Sequence, residues 1–596
     1  MRFPYGMADF QSIREEDYLY VDRTDRISLI EQAGKQLLFL RPRRFGKSLW
    51  LSVLENYYDL ARADRFQALF GGLRIGQDPT PRHNQYFVLR LNFSEVDPNG
   101  DTSAITASLH QHINSCIRAF NHYYRDYLPQ PIDEMKENSI SSLRNLLYVV
   151  ATTPHKLYLI IDEYDNFANE VMASQMRGID RYQELVGGEG VIKVFFKTIK
   201  ANAEGRGLDR VFITGVSPVV MSDITSGYNV VKDITWIDEY HDLCGFTGEE
   251  IDNILTRVLN LDQCPEAWQR PENRAEVLAM VRTFYNGYRF GAEDDYPLLY
   301  NPTLVLYFFD FFSRYYRYPE KMLDENLAMD LSRIQFVAGL PHGESVVNQA
   351  LNPEQLLTVP ELAGRFGIDT LLKSEQGPTF LVSLLYYFGV LTRSGKDPFG
   401  EQQFIIPNLV VRKLYVERMQ EALLPGFLPI RARDEAARAF YRTGEMAPLG
   451  DLMEQRLLRV FDNRDLRWSN ELVVKTLFLV ALFNDTAYIM DSESAIDRGY
   501  GDLSLILRPD ARKYQLLDHL LEFKHLRWEE LGAKNAEMRN LTREELKRLP
   551  SVAIKLTEAQ TQLANYRETL ERTYGEKLRL HTHAVVCIGL ERLVWY

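Results

Sequence analysis

The stretch LLFLRPRRFGKSLW, residues 37–50, decides how the front of this chain folds. Its apolar start predicts a buried strand, and a helix is predicted from Lys47 and Ser48 onward. A strand, a tight loop and Gly-Lys-Ser at the start of a helix form the arrangement that holds a nucleoside triphosphate. Backbone N–H groups and the helix N-terminus face the phosphates, the lysine neutralises charge and the hydroxyl reaches Mg²⁺. The consensus has a glycine where this chain has Arg41, so other segments must decide whether the loop binds a nucleotide.

Four basic residues lie in this loop, namely Arg41, Arg43, Arg44 and Lys47. Contact with nucleic acid is one interpretation of such a cluster. We favour service to a triphosphate, or pairing with carboxylates further along the chain, because phosphate-binding loops need positive charge themselves.

Length and composition describe a globular chain with several cores. At roughly 100–200 residues per domain, the 596 residues predict three or four domains. The net charge of −13 excludes a basic coat over the whole protein, so nucleic acid would have to bind a local positive groove. The four cysteines are far apart, which favours a reduced, cytoplasmic compartment without a zinc site or disulfides. We find no signal pattern and no apolar run of about 18 residues, and therefore expect no membrane span.

A second motif, KLYLIIDEYDNF at residues 156–167, supports the first. Its continuous apolar run is typical of a central parallel strand that is covered on both faces. In nucleotide hydrolases an acidic residue at the end of such a strand holds Mg²⁺, and a neighbouring carboxylate polarises the attacking water. We assign the first role to Asp162 and the second to Glu163. An acidic turn after a core strand is the plainer alternative, but the upstream loop favours the functional interpretation.

A third apolar strand, RVFITG at residues 210–215, ends in Thr214 and is followed by Ser217. A polar residue at the tip of a strand beside the acidic one commonly senses the γ-phosphate, and either hydroxyl could do so or could cap a turn. Strands that alternate with helices predict an α/β fold with a doubly wound parallel sheet and its site at the carboxyl ends of the strands. The residues predicted to bind the nucleotide are Arg44, Gly46, Lys47, Ser48, Asp162 and Thr214.

Helical patterns dominate from about residue 245. Thr247 and Glu250 form a capping-box signal, and TFLVSLLYYFGVL followed by TRSG and FIIPN predicts a helix with a two-stranded wing. The stretch LLPGFLPIRARDEAARAF, residues 423–440, is the favoured domain boundary. We divide the chain into a P-loop domain at 1–245, a helical lid and winged-helix-like region at 246–430, and a C-terminal α/β domain at 431–596.

The C-terminal region predicts a second chemical centre. Glu471 opens an apolar helix, Asp502 begins a strand, and Glu522 and Lys524 end the next strand on one face, because side chains alternate along a strand. Two carboxylates and a lysine on one face could perform metal-assisted hydrolysis of a phosphodiester. The carboxylates would hold one or two Mg²⁺ ions, and the lysine would orient the water or help to deprotonate it. From spacing alone, an edge-strand salt bridge of Lys524 is the favoured alternative.

A helix further along the chain carries Gln562 and Tyr566 on one face, at i and i+4. It is followed by a predicted strand, THAVVCIGL at residues 582–590.

With these residues together, the chain resembles a bacterial and archaeal family that joins an N-terminal AAA-ATPase-like domain to a C-terminal PD-(D/E)XK nuclease-superfamily domain. In the front half the resemblance is carried by YGMADF, YLYVDRTDRI, FLRPRRFGKSL, LIIDEYD, ITGVS, SGYN, GFTGEEI, FYNGYRF and YNP. In the back half it is carried by Asn470-Glu471, DSES, GYGD, EFK, Q-x-x-x-Y and VVCIGL. An arginine in place of the first glycine of the loop is also typical of this family.

The resemblance implies a restriction-endonuclease-like fold for the C-terminal domain, and it implies roles for individual residues. ATP would bind at Lys47 and Ser48, with Mg²⁺ at Ser48 and Asp162. The nuclease metal, Mg²⁺ or Mn²⁺, would bind at Asp502 and Glu522 beside the catalytic Lys524. Glu471 would be an extra acidic residue near that metal, Gln562 and Tyr566 would line the site, and Glu493 matches a family acid to which we assign no role.

Two departures from the family pattern concern the nuclease half. Tyr500 stands where the family often has arginine, and the stretch 525–552 is long. Neither departure removes a metal ligand, but the insertion could cover or redirect a nucleic-acid groove.

The leading hypothesis is therefore an ATP-regulated, metal-dependent nuclease, a hydrolase that acts on nucleic acid, with DNA favoured over RNA. The alternative is an ATP-dependent switch or binding module whose nuclease fold is inactive. A third hypothesis is an ATP-driven nucleic-acid remodeller. A homo-oligomer stays open, because an arginine finger from a neighbouring copy cannot be recognised in one sequence.

Overall fold

The computed structural model describes residues 1–166, 184–186, 190–203, 207–218, 220–221, 228–323, 329–351, 356–363, 377–460, 471–491, 502–531 and 540–596. Asn470, Glu493, Tyr500 and part of the 525–552 stretch lie outside these residues. Within the described ranges, no helix is both long enough and apolar enough to cross a membrane.

The front of the chain is built on a parallel sheet. Its strands are β1 (Gln36–Leu40), β2 (Tyr86–Asn92), β3 (Lys156–Asp162), β4 (Leu208–Gly215) and β5 (Lys232–Asp233). Their order across the sheet is β2-β3-β4-β1-β5, and all neighbours run parallel. The predicted parallel sheet is confirmed, because β1, β3 and β4 are the three strands that the apolar runs indicate.

Helices connect the strands of this sheet. The described ones are α1 (Phe10–Glu15), α2 (Arg26–Ala33), α3 (Lys47–Tyr58), α4 (Phe66–Phe70), α5 (Arg74–Gln77), α6 (Thr102–Tyr123), α7 (Ser139–Ala151) and α8 (Val191–Asn202). The central strands β1, β3 and β4 are buried along nearly their whole length, which is why their sequences are continuously apolar.

Strand register brings the three predicted motifs to one edge of the sheet. Phe39 of β1 pairs with Thr214 of β4, and Ile161 of β3 pairs with Ile213 of β4. The loop after β1, the acidic end of β3 and the polar tip of β4 therefore meet at the carboxyl ends of neighbouring strands, where open α/β sheets bind ligands.

The middle of the chain is mainly helical. Its helices are α9 (Gly248–Leu259), α10 (Pro271–Tyr285), α11 (Pro302–Tyr315), α12 (Met329–Ala338), α13 (Gly343–Ala350), α14 (Pro378–Tyr387) and α15 (Leu409–Leu423). The capping box predicted at Thr247 and Glu250 is confirmed. A small antiparallel sheet has the order β6-β8-β7, with β6 (Leu357–Val359), β7 (Thr392–Lys396) and β8 (Gln402–Ile405).

The predicted helix with a two-stranded wing is formed by α14, β7 and β8. In α14 every residue from Phe380 to Tyr387 is buried. Tyr386 stacks on Trp236 of the front region, with ring centroids 4.8 Å apart. This helix therefore packs inside the protein and presents no face to a partner.

The stretch proposed as a domain boundary, residues 423–440, is largely helical. Helix α15 ends at Leu423 and α16 (Phe427–Thr443) begins four residues later, so the interruption is confined to residues 424–426. Pro429 is accommodated because it lies in the first turn of α16. The division of the chain into three domains stays a prediction.

The C-terminal region forms a mixed five-stranded sheet. Its strands are β9 (Tyr488–Asp491), β10 (Leu503–Leu507), β11 (Asp518–Leu526), β12 (Leu580–Ile588) and β13 (Arg592–Trp595), in the order β13-β12-β11-β10-β9. Only the β11–β12 pair is parallel. The helices are α17 (Ala447–Leu452), α18 (Leu458–Val460), α19 (Glu471–Leu482), α20 (Arg543–Lys547) and α21 (Pro550–Tyr574).

Two details of the sequence prediction change here. Strand β10 begins at Leu503, one residue after Asp502. Glu522 and Lys524 do not end β11, because parallel pairing with β12 continues to Leu526. Since β11 is the central strand of the sheet, Lys524 does not lie on an edge strand, but the salt bridge itself is present, with Lys524 Nζ 2.9 Å from Glu522 Oε1.

The two faces of β11 contact different layers. Phe523 packs on Phe478 of α19, with ring centroids 4.8 Å apart. Leu520 and Leu526 belong instead to the apolar cluster formed with α21. Because side chains alternate along a strand, Glu522 lies on the α21 side together with Lys524.

A pair of buried imidazoles fixes β11 to β12 on the opposite face. His519 Nδ1 and His583 Nε2 are 3.2 Å apart, and Phe440 of α16 stacks on His519 with centroids 4.1 Å apart. Burial, together with the smaller effect of the neighbouring imidazoles, lowers the pKa of His519 to about 2 and that of His583 to about 4. Both rings are therefore neutral in the folded protein at neutral pH.

This pair predicts a loss of stability in mild acid. The unfolded chain takes up protons on these histidines below pH about 6.5 and the folded chain does not, so stability falls as the pH drops from 6.5 toward 4. In His583→Gln the acid-induced loss of folding free energy should be smaller by at most about 3 kcal/mol. This is the free energy that corresponds to the lowered pKa of His583. Melting temperatures of both proteins between pH 7 and pH 4.5 measure the difference. The exposed His122→Gln is the control, and a variant with the full wild-type slope would contradict the prediction.

Candidate nucleotide and metal sites

The loop after β1 folds around its own lysine. Gly46 caps α3 with a φ of 96°, and Arg44 also has a left-handed backbone, with a φ of 67°. Lys47 Nζ donates hydrogen bonds of 2.9 Å to the carbonyl oxygens of Arg41 and Pro42. Burial lowers the pKa of Lys47, and the carboxylates of the neighbouring β3 end oppose this change. The loop therefore keeps its lysine enclosed beside the acidic strand end.

Arg41 neither faces the phosphate side of the loop nor pairs with a carboxylate in the contacts described, which corrects the expectation that the basic residues of the loop serve the triphosphate or pair with carboxylates. Its guanidinium is 1% exposed and lies between the rings of Phe39 and Phe290, 4.3 and 4.4 Å from their centroids. It donates to the carbonyl oxygens of Leu40, Thr235, Tyr240 and His241. These carbonyls hold the side chain away from the loop, so its role is structural.

Asp162 is the centre of the acidic strand end. Thr214 Oγ1 and the N–H of Glu163 donate to its Oδ1 atom, at 2.8 and 3.0 Å. Its Oδ2 atom lies 3.4 Å from a guanidinium nitrogen of Arg90. The carboxylate is 1% exposed, so these three donors are its compensation for burial. Thr214 is predicted from the sequence, whereas Arg90 is not, because it lies inside an apolar strand and has no local signal.

The two other polar candidates of this edge have different surroundings. Glu163 has a left-handed backbone, with a φ of 48°, and burial raises the pKa of its carboxyl against the effect of Lys47. Ser217 donates to Asp165 Oδ2 from both its N–H and its hydroxyl, at 2.8 and 3.0 Å. Of the two candidate hydroxyls, the structure brings Thr214 to Asp162 and Ser217 to a different carboxylate.

A cavity of about 530 Å³ lies over the loop and the first turns of α3. Its walls include residues 43–50, the N-terminal segments 4–8 and 19–21, residues 243–246, and the start of α11. Trp50, on this wall, is 4% exposed, and its indole N–H has no acceptor among the described residues. The volume is in the range of ligand pockets. The buried N–H of Trp50 could donate a hydrogen bond to a polar ligand such as ATP.

Helix α11 of the middle region touches the loop directly. Thr303 Oγ1 donates a 2.9 Å hydrogen bond to the carbonyl oxygen of Arg44, and Asn301 caps the same helix end. A change in the loop conformation would therefore reach α11 through one hydrogen bond.

The second centre brings together three carboxylates. One oxygen each of Glu471, Asp502 and Glu522 lies within 4.8 Å of the other two. Glu522 is buried, and the other two residues are partly exposed. Oxygen ligands in this number can hold a hard divalent cation such as Mg²⁺ or Mn²⁺.

Lysines compensate this acidic cluster. Lys524 Nζ lies 2.9 Å from Glu522 and 3.2 Å from Glu471, and Lys475 Nζ lies 3.7 Å from Asp502. Burial raises the pKa of Glu522, and the charge of Asp502 raises it further. Lys475 is absent from the residues predicted from sequence, although its position one helical turn after Glu471 is a usable signal.

Backbone contacts fix the two strand carboxylates. The N–H of Phe523 donates to Asp502 Oδ2 at 2.8 Å, and the N–H of Asp502 lies 3.3 Å from Glu522 Oε2. The start of β10 and the middle of β11 are therefore joined at these two carboxylates.

Gln562 and Tyr566 lie on α21, the helix that covers the face of β11 bearing Glu522. The Oε1 atom of Gln562 is buried and has no hydrogen-bond donor among the described residues. Tyr566 packs against the apolar cluster between α21 and the sheet. Both residues thus lie on the helix that covers the same side of β11 as Glu522.

Comparison with known proteins supports the ATPase-like domain that is predicted for the front of the chain. The family model AAA-ATPase_like, described as a predicted AAA-ATPase, matches residues 4–225. The N-terminal part is AAA-ATPase-like. An uncharacterized protein in the vnfD 5′ region of Azotobacter chroococcum mcd 1 is 26% identical over 467 residues, which are 75% of this chain and 74% of that protein.

Solved structures give weaker likenesses. The Orc1 protein of Aeropyrum pernix in complex with DNA has 12% identity and a TM-score of 0.24, over 69% of this chain and 97% of that one. Cdc6p from Pyrobaculum aerophilum has 13% identity and a TM-score of 0.25, over 68% of this chain and 98% of that one. At these scores the two likenesses carry no weight.

The acidic cluster predicts metal binding in the absence of nucleotide. Asp502→Asn and Glu522→Gln should each weaken Mn²⁺ binding by roughly tenfold or more, because each removes an anionic ligand from the site. Isothermal titration with Mn²⁺ measures the change. Glu529→Gln, an exposed substitution near the end of β11, is the matched control. A wild-type protein that binds no Mn²⁺, or equal affinities for all variants, would contradict the prediction.

Proposed function

We propose that the protein is an ATP-binding, ATP-regulated, metal-dependent nuclease that cleaves phosphodiester bonds of nucleic acid, with DNA the favoured substrate. The observation that carries the proposal is the cluster of Glu471, Asp502, Glu522 and Lys524 in a chain with an AAA-ATPase-like front. A carboxylate cluster beside a lysine is the donor set for hydrolysis of a phosphodiester.

In the front site, the chain's own residues supply phosphate and metal contacts. Lys47 and the backbone of Gly46 face the phosphates, with Arg44 beside them, and Ser48 and Asp162 are the groups to hold Mg²⁺. Thr214 orients Asp162 through its 2.8 Å hydrogen bond. Burial raises the pKa of Glu163, which suits a carboxylate that accepts a proton from water during ATP hydrolysis.

In the back site, Glu471, Asp502 and Glu522 hold the metal, which when bound would lower the pKa of a water molecule and neutralise charge on the phosphate. Burial opposes a charged Lys524, but its hydrogen bond to Glu522 and the charge of Glu471 raise the pKa of its ammonium. Lys524 is therefore kept protonated, and it suits orienting the water and neutralising the phosphate better than removing a proton. Gln562 and Tyr566 complete the wall of the site.

A continuous set of contacts supports communication between the two sites. Thr303, at the start of α11, binds the phosphate loop, and the segment just after this helix reaches the C-terminal sheet. There the carbonyl oxygens of Pro319 and Glu320 accept hydrogen bonds of 2.9 and 3.3 Å from Arg508. Arg508 is fully buried and directly follows β10, and Asp502 directly precedes the other end of this strand.

The alternative function is an ATP-dependent switch with an inactive nuclease fold. Two observations favour it. The carboxylates already have lysine partners, and the net charge of −13 opposes approach of nucleic acid.

Cleavage assays separate these two functions. With Mg²⁺ or Mn²⁺ on single- and double-stranded DNA and RNA, we expect cleavage that changes with ATP, a loss of at least about 100-fold in Lys524→Met, and loss of the ATP effect in Lys47→Ala. Glu529→Gln again serves as control. Absence of cleavage under every condition, with normal Mn²⁺ binding, would favour the switch.

Substitution of Arg508 should uncouple the two proposed sites. Arg508→Lys keeps the charge but cannot reach all five carbonyl and carboxylate oxygens that Arg508 contacts, so the ATP effect on cleavage should fall by about fivefold or more. The affinities for ATP and for Mn²⁺ should stay within about twofold of wild type, because neither site contains this residue.

Thr303→Val tests the other end of the same connection without loss of a buried charge. It should also reduce the ATP effect, whereas Thr557→Val, on the exposed side of α21, should not. An ATP effect of wild-type size in both Arg508→Lys and Thr303→Val would contradict the coupling.

A further inference from the structure

One buried strand of the front sheet places the guanidinium of an arginine beside the proposed Mg²⁺ site. Arg90 lies on β2, in register with Ile160 of β3. Its guanidinium makes three contacts of 3.3 to 3.4 Å, with Asp162 Oδ2, with the carbonyl oxygen of Ser48 and with Glu55 Oε2. None of the sequence motifs includes this residue.

The first two partners are the residues proposed to hold Mg²⁺. Asp162 is almost completely buried, and a buried carboxylate is costly unless charge or hydrogen bonds compensate it. Thr214 and the N–H of Glu163 supply two neutral donors on Oδ1. Among the contacts of Asp162 described here, Arg90 is the ion pair, and it occupies the second carboxylate oxygen.

Glu55 gives this guanidinium a second anionic partner. It lies on α3, two helical turns after Ser48, and it also pairs with Arg62 at 3.7 Å. The Arg90 side chain is 29% exposed, so it has room to shift along α3 toward Glu55 without unfolding the strand.

We propose that Arg90 is a positioning residue that balances Asp162 as a resident cation and competes with Mg²⁺ for that carboxylate. The inference rests on the proposed nucleotide site. A guanidinium and a divalent cation repel each other, so metal binding at Asp162 favours the Arg90–Glu55 pair over the Arg90–Asp162 pair. Arg90 thereby sets the Mg²⁺ concentration at which the site accepts a nucleotide, and it links metal binding to α3.

A phosphate-binding role for Arg90 makes the opposite prediction. If the guanidinium bound a phosphate, its removal would weaken nucleotide binding at every Mg²⁺ concentration. If it competes with the metal, its removal lowers the Mg²⁺ concentration needed for binding.

The test is a titration of a fluorescent ATP analogue with the full-length protein at a series of Mg²⁺ concentrations. In Arg90→Gln we expect the half-saturating Mg²⁺ concentration to fall at least threefold. The melting temperature without Mg²⁺ should also fall, because Asp162 then loses its ion pair with Arg90, and Mg²⁺ with the analogue should raise it more than in wild type. Arg118→Gln, an exposed arginine of α6 paired with Glu134, is the matched control.

Arg90→Lys keeps the charge on a shorter reach and should shift the half-saturating Mg²⁺ concentration in the same direction by less, so it serves if Arg90→Gln does not fold. Wild-type binding with an unchanged or higher Mg²⁺ requirement in the variants would overturn the inference alone. No nucleotide binding by the wild-type protein at any Mg²⁺ concentration would overturn the proposed nucleotide site as well.

Discussion

The buried guanidinium of Arg41 is the constraint on which the front of the structure depends. It joins the end of β1 to the carbonyl oxygens of residues 235–241 and lies on the ring of Phe290 from the middle region. Burial lowers the pKa of this guanidinium to about 10, so the charge persists at neutral pH and the carbonyls must compensate it. A glycine at this position could make none of these contacts. The left-handed residues of the loop are Arg44 and Gly46, so the loop turns without a glycine at position 41.

How much of this could be predicted from sequence follows from the range of each interaction. The apolar runs before Lys47 and Asp162 predicted β1 and β3, because burial on both faces leaves a local pattern. Thr214 was found because it ends such a run. The role of Arg41 was misjudged and Arg90 was missed. Their partners lie far away in sequence, and a charged residue in a buried segment has no local signature.

Both candidate sites place a cation of the chain beside carboxylates that could hold a metal. Carboxylates that could hold a metal are expensive to bury alone, and each set has a cation from the chain beside it. Asp162 has Arg90, and the C-terminal cluster has Lys475 and Lys524. A metal that enters either site must therefore compete with a resident charge, which makes metal occupancy responsive to contacts made elsewhere by those same cations.

The packing of the C-terminal sheet determines which of the three carboxylates would move when the front of the chain moves. One contiguous apolar core runs from β1 through the middle helices to α19 and the face of β11 that bears Phe523. Glu471 begins α19, whereas Asp502 and Glu522 come from the sheet itself. A movement of the core against the sheet would displace Glu471 and Lys475 relative to the other two carboxylates, because the hydrogen bond from Phe523 to Asp502 keeps those two together. If the cluster binds a metal, Glu471 is thus the carboxylate through which the packed core would act on it.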